Sequence, residues 1–315
     1  VHAIGVDVGG TKIAAGVVTA DGQIVAKTTL RTDRSSADSV DAGIVAACES
    51  LLGDYDVTAV GLAAPGFISA DRTTVHFAPN LPWRDHPLRQ NVARRLGIDT
   101  VAVENDASAA GWAESRFGAA KGLSDVVMLT LGTGLGGAII TGGALVRGAW
   151  GMAAEIGHMR VVPEGHHCGC GQEGCWEQYV SGSALVREAQ AVASSRPVRA
   201  TRLLELAGGK ARRITGVHIT KAAREGDELS LELLAWIGRW VGEGAASLVA
   251  VLDPQIVVVG GGLSDAGDMV LVPARYAFER RLSAGEFRPL VPIEVAALGN
   301  DAGIVGAADL AWNYE

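Results

Sequence analysis

An excess of positive charge is missing from this 315-residue sequence: 27 Lys and Arg against 35 Asp and Glu leave a net charge of −8, with no basic tail or long single-sign run. That removes the electrostatic footprint of a nucleic-acid binder, so an anionic ligand needs a local site built for it. The N-terminus has no basic region followed by a signal-like apolar core, and no low-complexity linker interrupts the chain. Residues 126–146 are uncharged for long enough to raise the question of a membrane span. Gly132, Gly134, Gly136, Gly137, Gly142 and Gly143, with Thr130, Thr133 and Thr141, make that stretch strand, loop and strand instead. A cytoplasmic protein is expected, its initiator Met trimmed or replaced. Cysteine is scarce, at four residues.

What the sequence does have is ordinary globular composition, 48% hydrophobic and 20% charged. Its length is about twice that of a usual domain, so two domains or one large α/β domain are expected. Glycine is the outlier: 42 residues, about twice average usage. They gather in short loops after apolar runs, where a backbone without side chains can approach a ligand closely.

Apolar runs at 3–8, 13–19 and from Gln23, separated by Gly9-Gly10-Thr11-Lys12 and Ala20-Asp21-Gly22, read as a β-meander with a glycine bend. The pattern returns about 125 residues later. A run at 126–131, the bend 132–137, a strand at 138–141, the turn Gly142-Gly143 and Ala144-Leu145-Val146 suggest a duplicated fold. Between and after the copies, helices are expected near 39–52, 87–96, from 105, 183–194, 218–225, 228–251, 268–282 and from 302. Strands are expected at 59–63, 101–104, 256–259 and 292–297. This alternation argues for an α/β architecture. The Lys and Arg residues dense between Arg196 and Arg224 read as a solvated face, the alternative being a stretch that brushes a nucleotide phosphate.

Three glycine clusters stand at strand ends, Gly9-Gly10, Gly132 to Gly137 and Gly260-Gly261-Gly262. Backbone N–H groups converge on an anion where side chains do not intervene, so the three together point to phosphate. Gly132, Gly134 and Gly137 satisfy G-x-G-x-x-G formally. A dinucleotide fingerprint must open a helix, however, and here a strand and turn follow. A G-x-x-x-x-G-K-[ST] loop is also absent.

Cys168, Cys170 and Cys175 fall within eight residues, while Cys48 sits alone in an expected helix. A disulfide would leave one of the three unpaired and would be unusual in a reducing compartment. Three thiolates and one imidazole instead make a closed tetrahedral zinc site. His167 adjoins Cys168 and would be strained as a co-ligand, and His166 is little better, which leaves His158. By residue type alone, Asn105 and Asp106 read as a helix cap, and Glu155 and Glu177 as solvated loop acids.

Asp7-Val8-Gly9-Gly10-Thr11-Lys12, Leu131-Gly132-Thr133-Gly134-Leu135-Gly136-Gly137 and Gly260-Gly261-Gly262 resemble the phosphate and adenosine loops of the actin-like ATPase superfamily. Glu155-Ile156-Gly157-His158 and Cys168-Gly169-Cys170-Gly171-Gln172-Glu173-Gly174-Cys175-Trp176-Glu177 are similar to the E-x-G-H and C-x-C-G-x-x-G-C-x-E elements of the ROK family, which holds repressors and sugar kinases. The resemblance extends over essentially the whole chain. It implies an α/β fold of two actin-like (ribonuclease H-like) lobes with a cleft between them, at 1–110 plus 299–315 and at 111–298, the latter carrying the zinc loop.

The function implied is ATP-dependent phosphorylation of glucose at O6, giving glucose 6-phosphate and ADP. By this resemblance Asp106 is the base, and Gly66, Asn80, Asn105, Asp106, Glu155, His158 and Glu177 hold the sugar. Asp7 acts on Mg²⁺ through water, and Gly9, Gly10, Thr11, Lys12, Thr133, Gly134, Gly261 and Gly262 line the ATP. His158, Cys168, Cys170 and Cys175 hold structural zinc, which is expected to order the sugar-binding acids and to leave nucleotide binding at the distant glycine loops unaffected. A homo-oligomer, dimer or tetramer, is expected, with no nucleic-acid or membrane partner. The alternatives are another hexose (an N-acetylhexosamine, mannose or fructose), a polyphosphate donor, or a non-enzymatic sugar-responsive regulator. Regulators of this family carry a winged helix ahead of the first loop, which a loop starting at Asp7 argues against unless an upstream segment was trimmed.

Overall fold

Period-two alternation in the first strand decides what packs on each side of the N-terminal sheet. In the computed structural model, which describes residues 1–312, β1 (His2–Val8) pairs antiparallel with β2 (Lys12–Val18), and β2 with β3 (Ile24–Arg31). After α1 (Ala37–Glu49) the chain returns as β4 (Val57–Ala64), parallel to β1. A small antiparallel sheet follows, made of β5 (Phe67–Ile68), β6 (Val75–Phe77) and β7 (Arg84–His86). Next come α2 (Leu88–Leu96), β8 (Val101–Asn105), parallel to β4, and α3 (Asp106–Phe117).

The sequence's second copy supplies β9 (Val126–Leu131), β10 (Leu135–Thr141) and β11 (Ala144–Leu145). Helices α4 (Glu177–Val180), α5 (Gly182–Ser195), α6 (Thr201–Leu206), α7 (Gly216–Arg224) and α8 (Glu228–Leu252) lead to β12 (Ile256–Gly260). Helix α9 (Asp268–Arg281), β13 (Ile293–Val295) and α10 (Ala302–Trp312) complete the chain. The two large sheets run β3-β2-β1-β4-β8 and β11-β10-β9-β12-β13, the same order of a meander extended by later strands, as the duplicated pattern implied. The small sheet, α4 and α6 were not expected, because elements of two to six residues are too short to show a period. Strand β10 starts at Leu135, inside the glycine bend, rather than at Ala138.

The chain divides into two compact units: Val1–Met128, Gly137–Ala154 and the residues from Ala296 on form one, and Leu129–Gly136 with Glu155–Val295 the other. In the first unit, Ile4, Val6 and Val8 join α1 and α2 through Val40, Ile44, Leu88 and Val92. On the opposite face Ala3, Ala14, Ala59 and Ala102 meet Ile304, Val305 and Ala308 of α10. Those sheet residues are small because α10 lies almost on the strands. A Cβ on Gly5 would stand 1.8 Å from the Ile304 oxygen, and one on its register partner Gly61 would stand 1.7 Å from the Ala307 oxygen.

In the second unit, Gly238 and Gly242 of α8 admit the backbone of α9 in the same way, each with a Cβ position 2.2 Å from a carbonyl oxygen. Asp227 caps α8 by accepting from Ser230 N. Among the described residues no helix is long and apolar enough to cross a membrane.

Candidate active site

In the first unit, alternation along β1 puts Asp7 on the α10 face, at the end where that helix begins. A Cβ on Gly303 would lie 3.1 Å from Asp7 Cγ, so glycine there leaves room beside the carboxylate. Burial pushes the Asp7 carboxyl above its usual range, while Lys12 and Lys27 pull it back. A half-buried carboxylate uncrowded by a side chain at position 303 suits hydrated Mg²⁺, which keeps several waters and needs few protein ligands.

The loop after β1 is pinned from three directions. Gly9 N donates to the Lys12 oxygen (2.9 Å), Thr32 Oγ1 to the Gly9 oxygen (2.7 Å) and Thr32 N to the Thr11 oxygen (3.1 Å). Gly10 abuts Asn80, whose Cβ would be 3.3 Å from a Gly10 Cβ.

Asn105 ends β8 and caps α3, its Oδ1 accepting from Ser108 N (3.0 Å). Its Nδ2 donates to the Gly66 oxygen (3.1 Å), which brings the Pro65-Gly66 loop to the Asn-Asp pair. The cap leaves this amide a second hydrogen and a second lone pair, so the same side chain has capacity left for a ligand. Asp106 opens α3, with Oδ1 accepting from Ala107 N (2.8 Å). Beneath the pair, buried Glu104 accepts from Asn105 N (3.1 Å) and Arg147 Nε (2.7 Å). Sequence reading missed Glu104, Arg147, Thr32 and Gly303. Glu104 alone gave a signal, as an acid inside an apolar strand.

In the second unit the glycine loops after β9 and β12 meet. Leu263 N donates to the Leu131 oxygen (3.0 Å), and Gly261 has a φ of +85° with its Cβ position 2.6 Å from that same oxygen. The start of α5 clasps the other loop: Gly182 N donates to the Gly132 oxygen (2.8 Å) and Ser183 Oγ to the Thr133 oxygen (2.7 Å). These loops and helices α5 and α7 enclose a cavity of about 1210 Å³ lined by Thr133, Ser183, Lys221, Arg224 and Gly262.

The basic stretch is largely exposed, as expected of a solvated face, and its members lie in two places. Arg199 pairs with Glu232, and Arg202 with Glu205 and Glu225, on the surface, whereas Lys221 and Arg224 line the cavity. Lysine and arginine beside two glycine loops make the cavity suited to a polyphosphate chain.

The four expected metal ligands also come together. One ligand atom from each of His158, Cys168, Cys170 and Cys175 lies within 4.8 Å of the others. Cys168 Sγ is 3.6 Å from His158 Nδ1, and Cys170 Sγ is 3.6 Å from Cys175 Sγ. A zinc tetrahedron with bonds of ~2.0 to 2.3 Å has edges of roughly 3.5 to 3.8 Å, so the donor set fits the ion. His167 pairs with Glu173 (3.0 Å) and His166 packs on Tyr179, away from that role.

Glu155 precedes the single turn carrying His158, and burial raises its carboxyl above the usual range, with the nearby Glu177 charge adding and His158 opposing. Gly157 between them is fixed by close packing, its Cβ position 2.1 Å from the Leu135 oxygen. Glu177 Oε1 accepts from Cys168 Sγ (2.9 Å), and its Oε2 lies 2.8 Å from the Cβ position of Gly134. The cluster is thus next to the glycine loop after β9 rather than distant from it.

A model of the ROK family matches residues 3–313. The chain belongs to the ROK family. It is 50% identical to a glucokinase of Streptomyces coelicolor over 98% of this chain and 96% of that relative. A crystal structure of a ROK family glucokinase from Streptomyces griseus, in complex with glucose and AMPPNP, is 50% identical and has a TM-score of 0.90, covering 99% of this chain and all of that one. An N-acetylmannosamine kinase of Escherichia coli is 34% identical over 98% of this chain and 97% of its own length. The two sheets of this ROK protein are those of the actin-like ATPase and sugar kinase fold.

Proposed function

We propose that this ROK protein transfers the γ-phosphoryl group of ATP to O6 of glucose, giving glucose 6-phosphate and ADP. The observation that carries the reading is 50% identity, over nearly the whole length, both to a glucokinase and to a solved ROK glucokinase holding glucose and AMPPNP. The intact glycine loops and the cationic cavity support it.

Glucose is held by Gly66, Asn80, Asn105, Asp106, Glu155, His158 and Glu177, the carboxylates accepting from hydroxyls. Asp106 accepts the O6 proton as O6 bonds to the γ-phosphorus, and the bond from that phosphorus to the bridging oxygen of ADP breaks. Asp106 is a weak base for an alcohol, but a loose phosphoryl-transfer transition state requires little deprotonation before bond breaking. Its main task is therefore to align O6. Gly9, Gly10, Thr11, Lys12, Thr133, Gly134, Gly261 and Gly262 present backbone and ammonium donors to ATP. Mg²⁺ near Asp7 would neutralise phosphate charge, and zinc on His158, Cys168, Cys170 and Cys175 would order the loop between Glu155 and Glu177. A cytoplasmic location and a homo-oligomeric state, dimer or tetramer, belong to the same reading. The free thiols support the location.

The test is a panel of hexoses against ATP and polyphosphate, scored by kcat/KM. Glucose with ATP should rank first. A higher value for N-acetylmannosamine, mannose or fructose, or for polyphosphate, would reassign the substrate, and no turnover with any pair would leave a sugar-responsive regulator.

A further inference from the structure

Strand β8 lies at the edge of its sheet, so every second N–H group along it points away from β4 and takes a partner from elsewhere. Val103 N finds one in the Arg72 oxygen (3.2 Å). Two positions on, Asn105 N donates to Oε1 of the preceding residue, Glu104 (3.1 Å). A carboxylate thus stands where a further strand would, at the point where β8 turns into α3.

Glu104 is buried, and its other oxygen faces two guanidinium groups. Arg147 Nε donates to Oε2 at 2.7 Å, and Arg72 Nε stands 3.6 Å from the same atom. The two arginines come from different segments of the first unit. Arg72 lies in the turn between β5 and β6 with a φ of +58°, which persists in a non-glycine residue only where its surroundings fix it, and its Nη2 donates to the Leu310 oxygen of α10 (3.0 Å). Arg147 begins the loop after β11. Ala153 N closes that loop on the Arg147 oxygen (3.0 Å), and Gly151 seats it on β5, its Cβ position 2.2 Å from the Ile68 oxygen. A neutral acceptor would serve Asn105 N alone, whereas a carboxylate also answers the charge of the buried Arg72.

Asn105 is therefore fixed at both ends, its backbone N by Glu104 and its side chain by Ser108 N and the Gly66 oxygen. Asp106 follows it directly, so the place of the Asp106 carboxylate depends on how this corner is held. A misplacement of about 1 Å at a reacting centre costs on the order of 100-fold in rate.

We propose that Glu104, held by Arg147 and Arg72, is a positioning residue for phosphoryl transfer: it fixes the Asn105–Asp106 corner without itself touching substrate. The proposal rests on reading Asp106 as the group that aligns O6.

The experiment compares Glu104→Gln, Arg147→Met and Arg147→Lys in the wild-type and Asp106→Asn backgrounds, with kcat expressed per folded molecule and Tm measured on the same preparations. Glu104→Gln keeps the shape and an acceptor for Asn105 N but removes the charge, and should lower kcat about 10- to 100-fold. Arg147→Met should lower it in the same direction, and Arg147→Lys should recover part of that loss, because the charge returns without the guanidinium geometry. The Kd of a non-hydrolysable ATP analogue should stay within about twofold of wild type in all three. Because Glu104 acts through Asp106, Glu104→Gln should cost less than about twofold in kcat once Asp106 is already Asn, the non-additivity of groups that work as a unit.

A merely structural residue would lower Tm and the folded fraction while leaving kcat per folded molecule unchanged, and that result overturns the proposal. The same fold loss in both backgrounds overturns it too. Should Glu104→Gln fail to fold, Arg147→Met decides in its place, since Arg147 is partly exposed and its loss leaves Glu104 beside Arg72. Failure of the underlying reading looks different: Asp106→Asn alone would then turn over at nearly the wild-type rate.

Discussion

Two neighbouring glycines, Gly261 and Gly262, should behave in opposite ways when given a Cβ. At Gly261 the φ of +85° costs a non-glycine residue about 1–2 kcal/mol. Its Cβ would also lie 2.6, 2.7 and 2.8 Å from the O, C and N atoms of Leu131, backbone that already accepts from Leu263 N. Forcing backbone apart in a packed region costs a further ~1–3 kcal/mol. Gly261→Ala should therefore lose about 2–5 kcal/mol and melt roughly 3 to 8 °C lower. Gly262 has nothing within 4 Å of its Cβ position, lines the cavity, and shows no positive φ. Gly262→Ala should melt within a degree or two of wild type, and Gly262→Val should raise the KM for ATP at least about tenfold with glucose affinity unchanged. Calorimetry and steady-state kinetics on the same preparations decide. If Gly261→Ala melts normally and only the ATP KM rises, Gly261 faces ligand and the packing argument is wrong. If Gly262→Val leaves the KM for ATP unchanged, the cavity is not the donor site.

Asp106→Asn should lose at least about two orders of magnitude in kcat while glucose binding changes far less. Near-normal turnover would reduce Asp106 to a helix-terminal acid. For Asp7, burial raises the folded pKa above the ordinary 3.8. The native state then holds the proton longer than the unfolded chain, and stability falls as pH rises through the folded pKa. Asp7→Asn should accordingly raise Tm of the ligand-free protein at pH 7, lose that gain below about pH 3.8, and cost roughly 10- to 100-fold in Mg²⁺-dependent kcat/KM. A lower Tm at pH 7 would contradict the burial argument. Cys48 is buried, with its thiol pushed up to about 12 by desolvation. A thiol reagent should find no reactive cysteine in zinc-loaded protein, three after stripping, and the fourth only on unfolding. Early labelling of Cys48 would refute this.

The metal ligands and the glycine loops were legible because each is a local pattern: three cysteines and a histidine within eighteen residues, and glycines at the ends of apolar runs. The helix-capping role of Asn105 was legible for the same reason. What local pattern could not carry was which distant segments meet. Arg199, Arg202, Lys221 and Arg224 share one basic stretch, and two of them line the cavity while two pair with acids elsewhere, a distinction set by where the elements pack, since Arg199 and Arg202 precede α7 and Lys221 and Arg224 lie on it. The contact of Glu177 with Gly134 crosses 43 positions and involves a residue without a side chain, so no residue type announced it.

Glycine abundance has two physical sources in this chain, and they mark different things. Gly5, Gly61 and Gly306 each have a Cβ position 1.7 to 1.8 Å from a carbonyl oxygen, so they exist to let α10 lie against the sheet and α3. Gly132 and Gly262 have no atom within 4 Å, so protein packing does not demand glycine there and a ligand can. The two kinds are connected through Asp7. Because Gly5 and Gly61 bring α10 close to the strands, the residue two beyond Gly5 on the same face meets the first turn of α10, and Gly303 there leaves the space in which Asp7 can act on a cation. The close-packed glycines thus place the end of β1 that carries Asp7. Substituting Gly61 should therefore disturb Asp7 from a distance of two residues along the paired strand, before any ligand is touched.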